Sequence, residues 1–104
     1  MTISEHPDRR KLLTIVSESA IEAALVRDIE RLGAHGYTIT DARGKGRRGV
    51  RNAGWDASSN IRIEVVCDAA TASAIAVHLK AAYYDNYAMI MFSHDVDVLR
   101  PDKF

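Results

Sequence analysis

Two hydrophobic periodicities follow each other near the start of the chain, one typical of a strand and one typical of a helix. Residues 11–16 are mostly apolar, with Lys11 and Thr14 as the exceptions, which predicts a buried strand. Ser19 and Glu22 then match the S-x-x-E capping box with which many helices begin. Apolar positions recur three or four residues apart as far as Leu32, and Gly33 stands where a C-cap glycine is expected. The pattern predicts a strand followed by a helix.

The rest of the chain repeats these periodicities. Alternation over residues 36–41 and again over 61–67 predicts two more strands. Asp68 or Thr71 can cap a second helix, and residues 88–99 predict a fourth strand region. The buried stripe of the second helix is predicted to comprise Ala72, Ile75, Ala76, Leu79 and Tyr83. The order β-α-β-β-α-β predicts an α+β ferredoxin-like fold, the split β-α-β arrangement, with an antiparallel four-stranded sheet and two helices on one face.

Two segments lack this patterning. Residues 1–10 are polar and predict a flexible N-terminal arm, which leaves a single domain over residues 11–104. Residues 42–60 contain four glycines, and their only bulky hydrophobic residues are Val50 and Trp55. Unpatterned loops of this length are usually functional or disordered, so we expect a mobile functional loop.

Composition narrows the class of protein. The chain has 104 residues with 14 basic and 14 acidic side chains, which fits one domain and argues against a general nucleic-acid-binding protein. A domain this small leaves much surface exposed, so self-association is expected. No apolar run is long enough for a membrane span, and the N-terminus is polar, which predicts a cytoplasmic protein without membrane insertion. Cys67 is the single cysteine and is predicted to be a buried thiol.

The loop concentrates positive charge among glycines. Gly44, Gly46 and Gly49 spell G-x-G-x-x-G, but no helix pattern begins inside the motif, which excludes a dinucleotide fingerprint, and the Lys and Ser/Thr of a Walker A loop are absent. Backbone N–H groups of such a loop can form an anion nest, to which arginines add bidentate contacts. The cations of this stretch are Arg43, Lys45, Arg47, Arg48 and Arg51. The sequence predicts an anion-binding loop, with a solvated basic loop as the alternative.

Other chemistry has less support. The four histidines are scattered, so no metal site is expected. His94 with Asp95 and Asp97 is the best local cluster, but alternation places the two acids on one face and the histidine on the other. The sequence shows no Ser-His or Cys-His pairing of the kind that an enzyme would use, so no enzymatic activity is expected. An RNA-binding domain is also disfavoured, because the third strand lacks the aromatic residues on which such a sheet stacks bases. Trp55 in the loop is a candidate anchor for a protein partner.

Four stretches together resemble the PII signalling family, and within it the PII-like branch linked to inorganic carbon uptake and carboxysomes. They are GYTITD at 36–41, GKGRRGVR at 44–51, SNIRIEV at 59–65 and YYDNYA at 83–88. The resemblance implies a homotrimer of ferredoxin-like subunits. It also implies an adenine nucleotide, as regulatory ligand, in each cleft between subunits, and a loop after the second strand that responds to the ligand.

Site residues follow from the same resemblance by position. Gly44, Gly46 and Arg48 would hold the phosphates, Thr38 would lie near the adenine, and Arg100 would come from the adjoining subunit. The full set implied for nucleotide binding is Thr38, Gly44, Lys45, Gly46, Arg48, Asn60, Tyr87, Ala88, Met89 and Arg100.

Departures from the family pattern refine these expectations. Asn60 stands where nucleotide-binding members often have Lys, and residues 85–88 replace a Gly-rich stretch ending in Lys. Fewer cations remain to neutralise a triphosphate, so ADP or AMP is expected to compete well with ATP. Arg47 and Arg51 are candidates to hold bicarbonate, or to add phosphate contacts. A bicarbonate transporter or carboxysome-related protein is the implied partner.

Two alternatives stay open within this architecture. The first is a classical nitrogen-type PII regulator, against which stands Arg48 in place of the usual Gln. The second is a trimeric structural or metal-tolerance protein of the same fold, in which the basic glycine loop would have no purpose.

Overall fold

The structure is a computed structural model that describes residues 8–44 and 60–104. The main elements of this part are β1 (Asp8–Glu18), α1 (Glu22–Arg31), β2 (Thr38–Ala42), β3 (Asn60–Cys67), α2 (Ala69–Tyr83) and β4 (Ile90–Val98). Short 3-10 turns at Ser19–Ile21 and Pro101–Lys103 follow β1 and β4. The strands form one sheet in the order β2-β3-β1-β4, with each neighbouring pair antiparallel. The predicted split β-α-β architecture is confirmed.

One sheet face carries the hydrophobic core. Ile15 of β1 lies opposite Ile63 of β3, and both are completely buried. Leu25 and Ile29 from α1 and Leu79 from α2 belong to the same buried cluster. Side chains alternate between the two faces of a strand, so Thr14, Val16 and their cross-strand partners point to the other face, which we call the open face. The helices therefore cover one side of the sheet only.

The junction between β1 and α1 differs from the prediction. Ser19 lies inside the 3-10 turn, and no side-chain cap hydrogen bond forms at the start of either this turn or α1. The predicted capping box at Ser19 and Glu22 is wrong, because Ser19 already belongs to the helical turn that follows β1. The predicted C-cap is confirmed: Gly33 has φ +110°, and the N–H groups of Gly33 and Ala34 donate to Glu30 and Ile29. These two bonds form a Schellman motif.

Helix α2 begins with a side-chain cap. The Thr71 N–H donates to Oδ1 of Asp68 at 2.7 Å, so Asp68 is the capping residue that the sequence left open against Thr71. This bond lowers the pKa of Asp68 below its usual value. In the described part of the chain, neither helix has the length and apolar character needed to cross a membrane.

Strand β1 begins earlier than predicted. It starts at Asp8 because residues 8–16 pair with β4, so residues 8–10 belong to the strand rather than to the arm. Lys11 and Asp95 form an ion pair at 2.6 Å, and Arg9 and Asp97 one at 3.1 Å, across this pairing. These cations alternate along β1 and these acids along β4. Neither segment on its own shows a hydrophobic pattern that would predict this part of the strand pairing.

Candidate functional site

Three strand ends meet at one corner of the sheet. Ala42, the last residue of β2, pairs with Asn60, the first of β3, and Asn60 pairs with Glu18, the last of β1. The Ala88 N–H, two residues before β4, donates to Oε2 of Glu18 at 3.2 Å. We call this group, Ala42, Asn60, Glu18 and Ala88, the sheet corner. The basic glycine loop leaves and rejoins the fold here, so any anion held at the base of that loop lies next to the corner.

Asn60 contributes a buried polar group to the corner. Its side chain is 6% exposed, and its Oδ1 has no hydrogen-bond partner within the described ranges. Buried polar atoms are nearly always satisfied, by protein, water or ligand. Because Oδ1 is an acceptor, it is available to an N–H or O–H donor of a molecule bound at the corner.

The segment between α2 and β4 is held by its own backbone. The N–H groups of Asn86 and Tyr87 donate to the Tyr83 carbonyl, and the Met89 N–H donates to the Tyr87 carbonyl. With Ala88 bonded to Glu18, these N–H groups already have acceptors. An anion that uses this segment must exchange at least one of these bonds for its own.

Two predicted residues of this segment serve the core. The Met89 side chain is 6% exposed and belongs to the buried cluster. The Tyr87 ring packs edge-on against Tyr83, with centroids 5.8 Å apart. Both side chains therefore contribute to the packing of the core.

Thr38 and Arg100 lie away from the corner within one chain. Thr38 is exposed on the open face opposite Glu64, four residues before Ala42 and so roughly 13 Å along β2. Arg100 follows Val98, which pairs with Asp8 at the far end of β1. A site at the corner can include Arg100 only if a second subunit supplies it.

The remaining predicted residues flank or occupy the loop. Gly44 is exposed, two residues beyond Ala42. The predictions for Lys45, Gly46, Arg47, Arg48, Arg51 and Trp55 fall outside the described residues. Sequence reasoning missed Glu18, which lies two residues beyond the strand predicted over residues 11–16 and reaches the corner only because β1 extends to it.

A separate groove of about 740 Å³ lies between α1 and β2. Ser19, Glu22, Arg27, Tyr37 and Ile39 are among the residues that line it. Ile39 pairs with the core residue Ile63, so the groove is on the helix side of the sheet, whereas Thr38 and Asn60 face the open side. The groove and the predicted nucleotide residues are therefore distinct surfaces.

The titratable groups of Cys67, Asp95 and Asp97, which lie away from the corner, are accounted for by burial and by ion pairs within the fold. Burial, with a smaller contribution from Asp68, raises the pKa of Cys67 to about 11, which agrees with the predicted buried, unreactive thiol. Lys11 lowers the pKa of Asp95, and Asp97 pairs with Arg9, so both acids near His94 are engaged with β1.

The comparison with protein families decides the membership of this chain. The family model described as nitrogen regulatory protein P-II matches residues 10–103. The chain belongs to the P-II family. PII proteins are signalling regulators, and a trimeric assembly is consistent with this membership.

Solved structures of PII-like proteins match the same fold. A candidate PII-like signaling protein of Thermus thermophilus is 44% identical, with 92% of this chain and 95% of that chain covered and a TM-score of 0.78. CPII of Thiomonas intermedia K12, a nitrogen regulatory PII-like protein solved with ADP, AMP and bicarbonate, is 25% identical, with 92% and 93% covered and a TM-score of 0.81. Another CPII structure, with ADP and bicarbonate, is 26% identical, with 92% and 94% covered and a TM-score of 0.80.

Proposed function

We propose that this PII-family chain is a cytoplasmic, non-enzymatic sensor that binds ADP or AMP, with ATP as a competing ligand, in the clefts between subunits of a homotrimer. The observation that carries the proposal is the sheet corner. There the base of a basic glycine loop, the amide of Asn60 and the backbone before β4 come together. CPII, similar over 92% of this chain, binds ADP and AMP, which supports an adenine nucleotide as the ligand.

Homotrimer formation is supported by the open face. Ile90 and Phe92 lie on this face with 57% and 47% of their surfaces exposed. Large apolar side chains that lie next to each other and remain exposed on a sheet face are typical of an association surface. Covering this face with further copies would also allow Arg100 of one subunit to approach the corner of another.

Bicarbonate is the second ligand of the proposal. Arg47 and Arg51 remain the candidate residues for it, and CPII binds bicarbonate together with ADP. A nucleotide that prefers one arrangement of the loop shifts the population of loop states, and the loop with Trp55 then controls a partner protein. We propose that this partner acts in inorganic carbon uptake or fixation, as a bicarbonate transporter or a carboxysome-related protein.

Isothermal titration calorimetry with AMP, ADP and ATP, each with and without bicarbonate, tests the proposal. We expect binding of ADP and AMP by the native protein, and weaker binding by Arg48→Ala because a phosphate contact is lost. Absence of binding by all three nucleotides would contradict the sensor function. Equal affinities of Arg48→Ala and the native protein would contradict the site assignment alone.

A further inference from the structure

Glu18 contributes an anionic group to the sheet corner. It is the last residue of β1, its side chain is half-buried, and its Oε2 accepts the Ala88 N–H at 3.2 Å across 70 residues of sequence. In the strand register it lies directly opposite Asn60. The carboxylate is therefore positioned where the loop base and the segment before β4 meet.

The contact between Glu18 and Ala88 is of the kind that a phosphate would make. An anionic oxygen that accepts a backbone N–H forms a charge-assisted hydrogen bond, whether it belongs to a carboxylate or to a phosphate. The neighbouring N–H groups of Tyr87 and Met89 are bonded within the segment. Glu18 thus occupies a backbone donor that a nucleotide phosphate at this corner would use.

The charge of Glu18 is not neutralised within the described part of the chain. Glu64 pairs with Arg62, Asp95 with Lys11 and Asp97 with Arg9, but no ion pair forms at Glu18 among those residues. Its cross-strand neighbour Asn60 is neutral. The field of this carboxylate therefore acts on any anion that enters the corner.

We propose that Glu18 is a specificity-determining residue of the nucleotide site and disfavours ligands with more phosphate charge. This inference rests on the proposed function. Each added phosphoryl group brings further negative charge toward the corner, so repulsion from Glu18 rises from AMP to ADP to ATP. The carboxylate thereby favours the mono- and diphosphate over the triphosphate.

The test compares Glu18→Gln with the native protein by calorimetry using AMP, ADP and ATP. Glutamine keeps a carbonyl oxygen that can accept the Ala88 N–H but removes the charge. We expect ATP to bind on the order of tenfold more tightly, ADP to gain less and AMP least. Glu30→Gln, which removes an exposed acid at the far end of α1, is the matched control and should leave all three affinities unchanged.

The outcomes separate this inference from the function on which it rests. If the native protein binds nucleotides and Glu18→Gln has the same ratio of ATP to AMP affinity, the role of Glu18 is wrong and the sensor function stands. If neither protein binds any nucleotide, the proposed function is wrong, and this inference with it. Should Glu18→Gln unfold, Glu18→Ala gives the same comparison with the same expected shift in the ratio.

Discussion

The hydroxyl of Tyr83 donates a hydrogen bond to Oδ2 of Asp28 at 2.8 Å and so joins the end of α2 to α1. The same carboxylate oxygen lies 3.4 Å from Nε2 of His78, and the Arg31 guanidinium contacts that nitrogen at 3.2 Å. Burial, together with the Asp28 acceptor, raises the pKa of Tyr83 to about 12. This cluster holds the two helices to each other, independently of the sheet that both of them cover.

Removing the Tyr83 hydroxyl should destabilise the fold. Tyr83→Phe keeps the ring and its contact with Tyr87 but leaves Asp28 without this donor. A hydrogen bond to a charged group contributes about 1.5 to 3 kcal/mol, and we expect the lower end because the cluster is only partly buried. Urea denaturation measures the difference. Tyr84→Phe, at an exposed position, is the control, and equal stability of the two variants would contradict the role of the Tyr83 bond.

Alkaline pH should destabilise the protein over a defined window. Tyr83 has a folded-state pKa of about 12 against an ordinary value of 10.0, and Cys67 about 11 against 9.0. The folded state holds these protons more tightly, so their contribution to stability is complete below the ordinary pKa values and is lost as pH rises through the folded-state values. Unfolding free energy should fall above pH 9.0. Tyr83→Phe should flatten the fall above pH 10.0, and an unchanged slope would contradict the assignment.

Gly33 should be the more sensitive of two nearby glycines. Its φ of +110° is one that residues other than glycine rarely adopt. Space is not the obstacle, because an added Cβ would meet only Thr71 atoms, at 3.7 Å or more. The cost of Gly33→Ala is therefore a backbone cost, about 1 to 2 kcal/mol. Gly36 has no such φ, and a Cβ added there would meet no atoms within 4 Å, so Gly36→Ala is the matched control. Thermal melts in which both variants behave alike would refute this explanation.

The sequence predicted the element order because periodicity and end signals agreed. The glycine at 33 and the acid at 68 each act within one turn of a helix, so local sequence was sufficient to find them. Ser19 failed as a cap because the start of α1 depends on how β1 enters it, which the S-x-x-E pattern does not describe. Local sequence signals therefore located a helix end well where its conformation depends on that helix alone, and poorly where it depends on the preceding strand.

The candidate site was harder to predict than the fold. Asn60 and Ala88 were expected to share a site, and both do lie at the sheet corner. The contribution of Glu18 depends on a contact between residues 70 positions apart, which no local pattern shows. Thr38 and Arg100 lie elsewhere in the same chain, and a local sequence pattern contains no information about which residues a second subunit would bring to the corner.

A cation restored at the corner should change nucleotide preference. Asn60→Lys places an ammonium opposite Glu18, where it can neutralise the carboxylate and attract phosphate. We expect the affinity for ATP to rise relative to AMP, by about tenfold. Competition calorimetry with the two nucleotides measures the ratio, and a thermal melt verifies that the buried position accepts lysine. A ratio equal to that of the native protein would contradict the proposal that charge at the sheet corner sets the preference between ATP and AMP.

The most direct measurement of the central claim is a crystal structure of the protein with ADP. The account predicts a trimer with one ADP in each cleft, its phosphates at the sheet corner within hydrogen-bond distance of the Ala88 backbone or the Asn60 amide, and Glu18 displaced from Ala88. Arg100 from an adjoining subunit should lie in the same cleft. ADP bound in the groove between α1 and β2, or a corner that stays closed by Glu18 while ADP binds elsewhere, would contradict it.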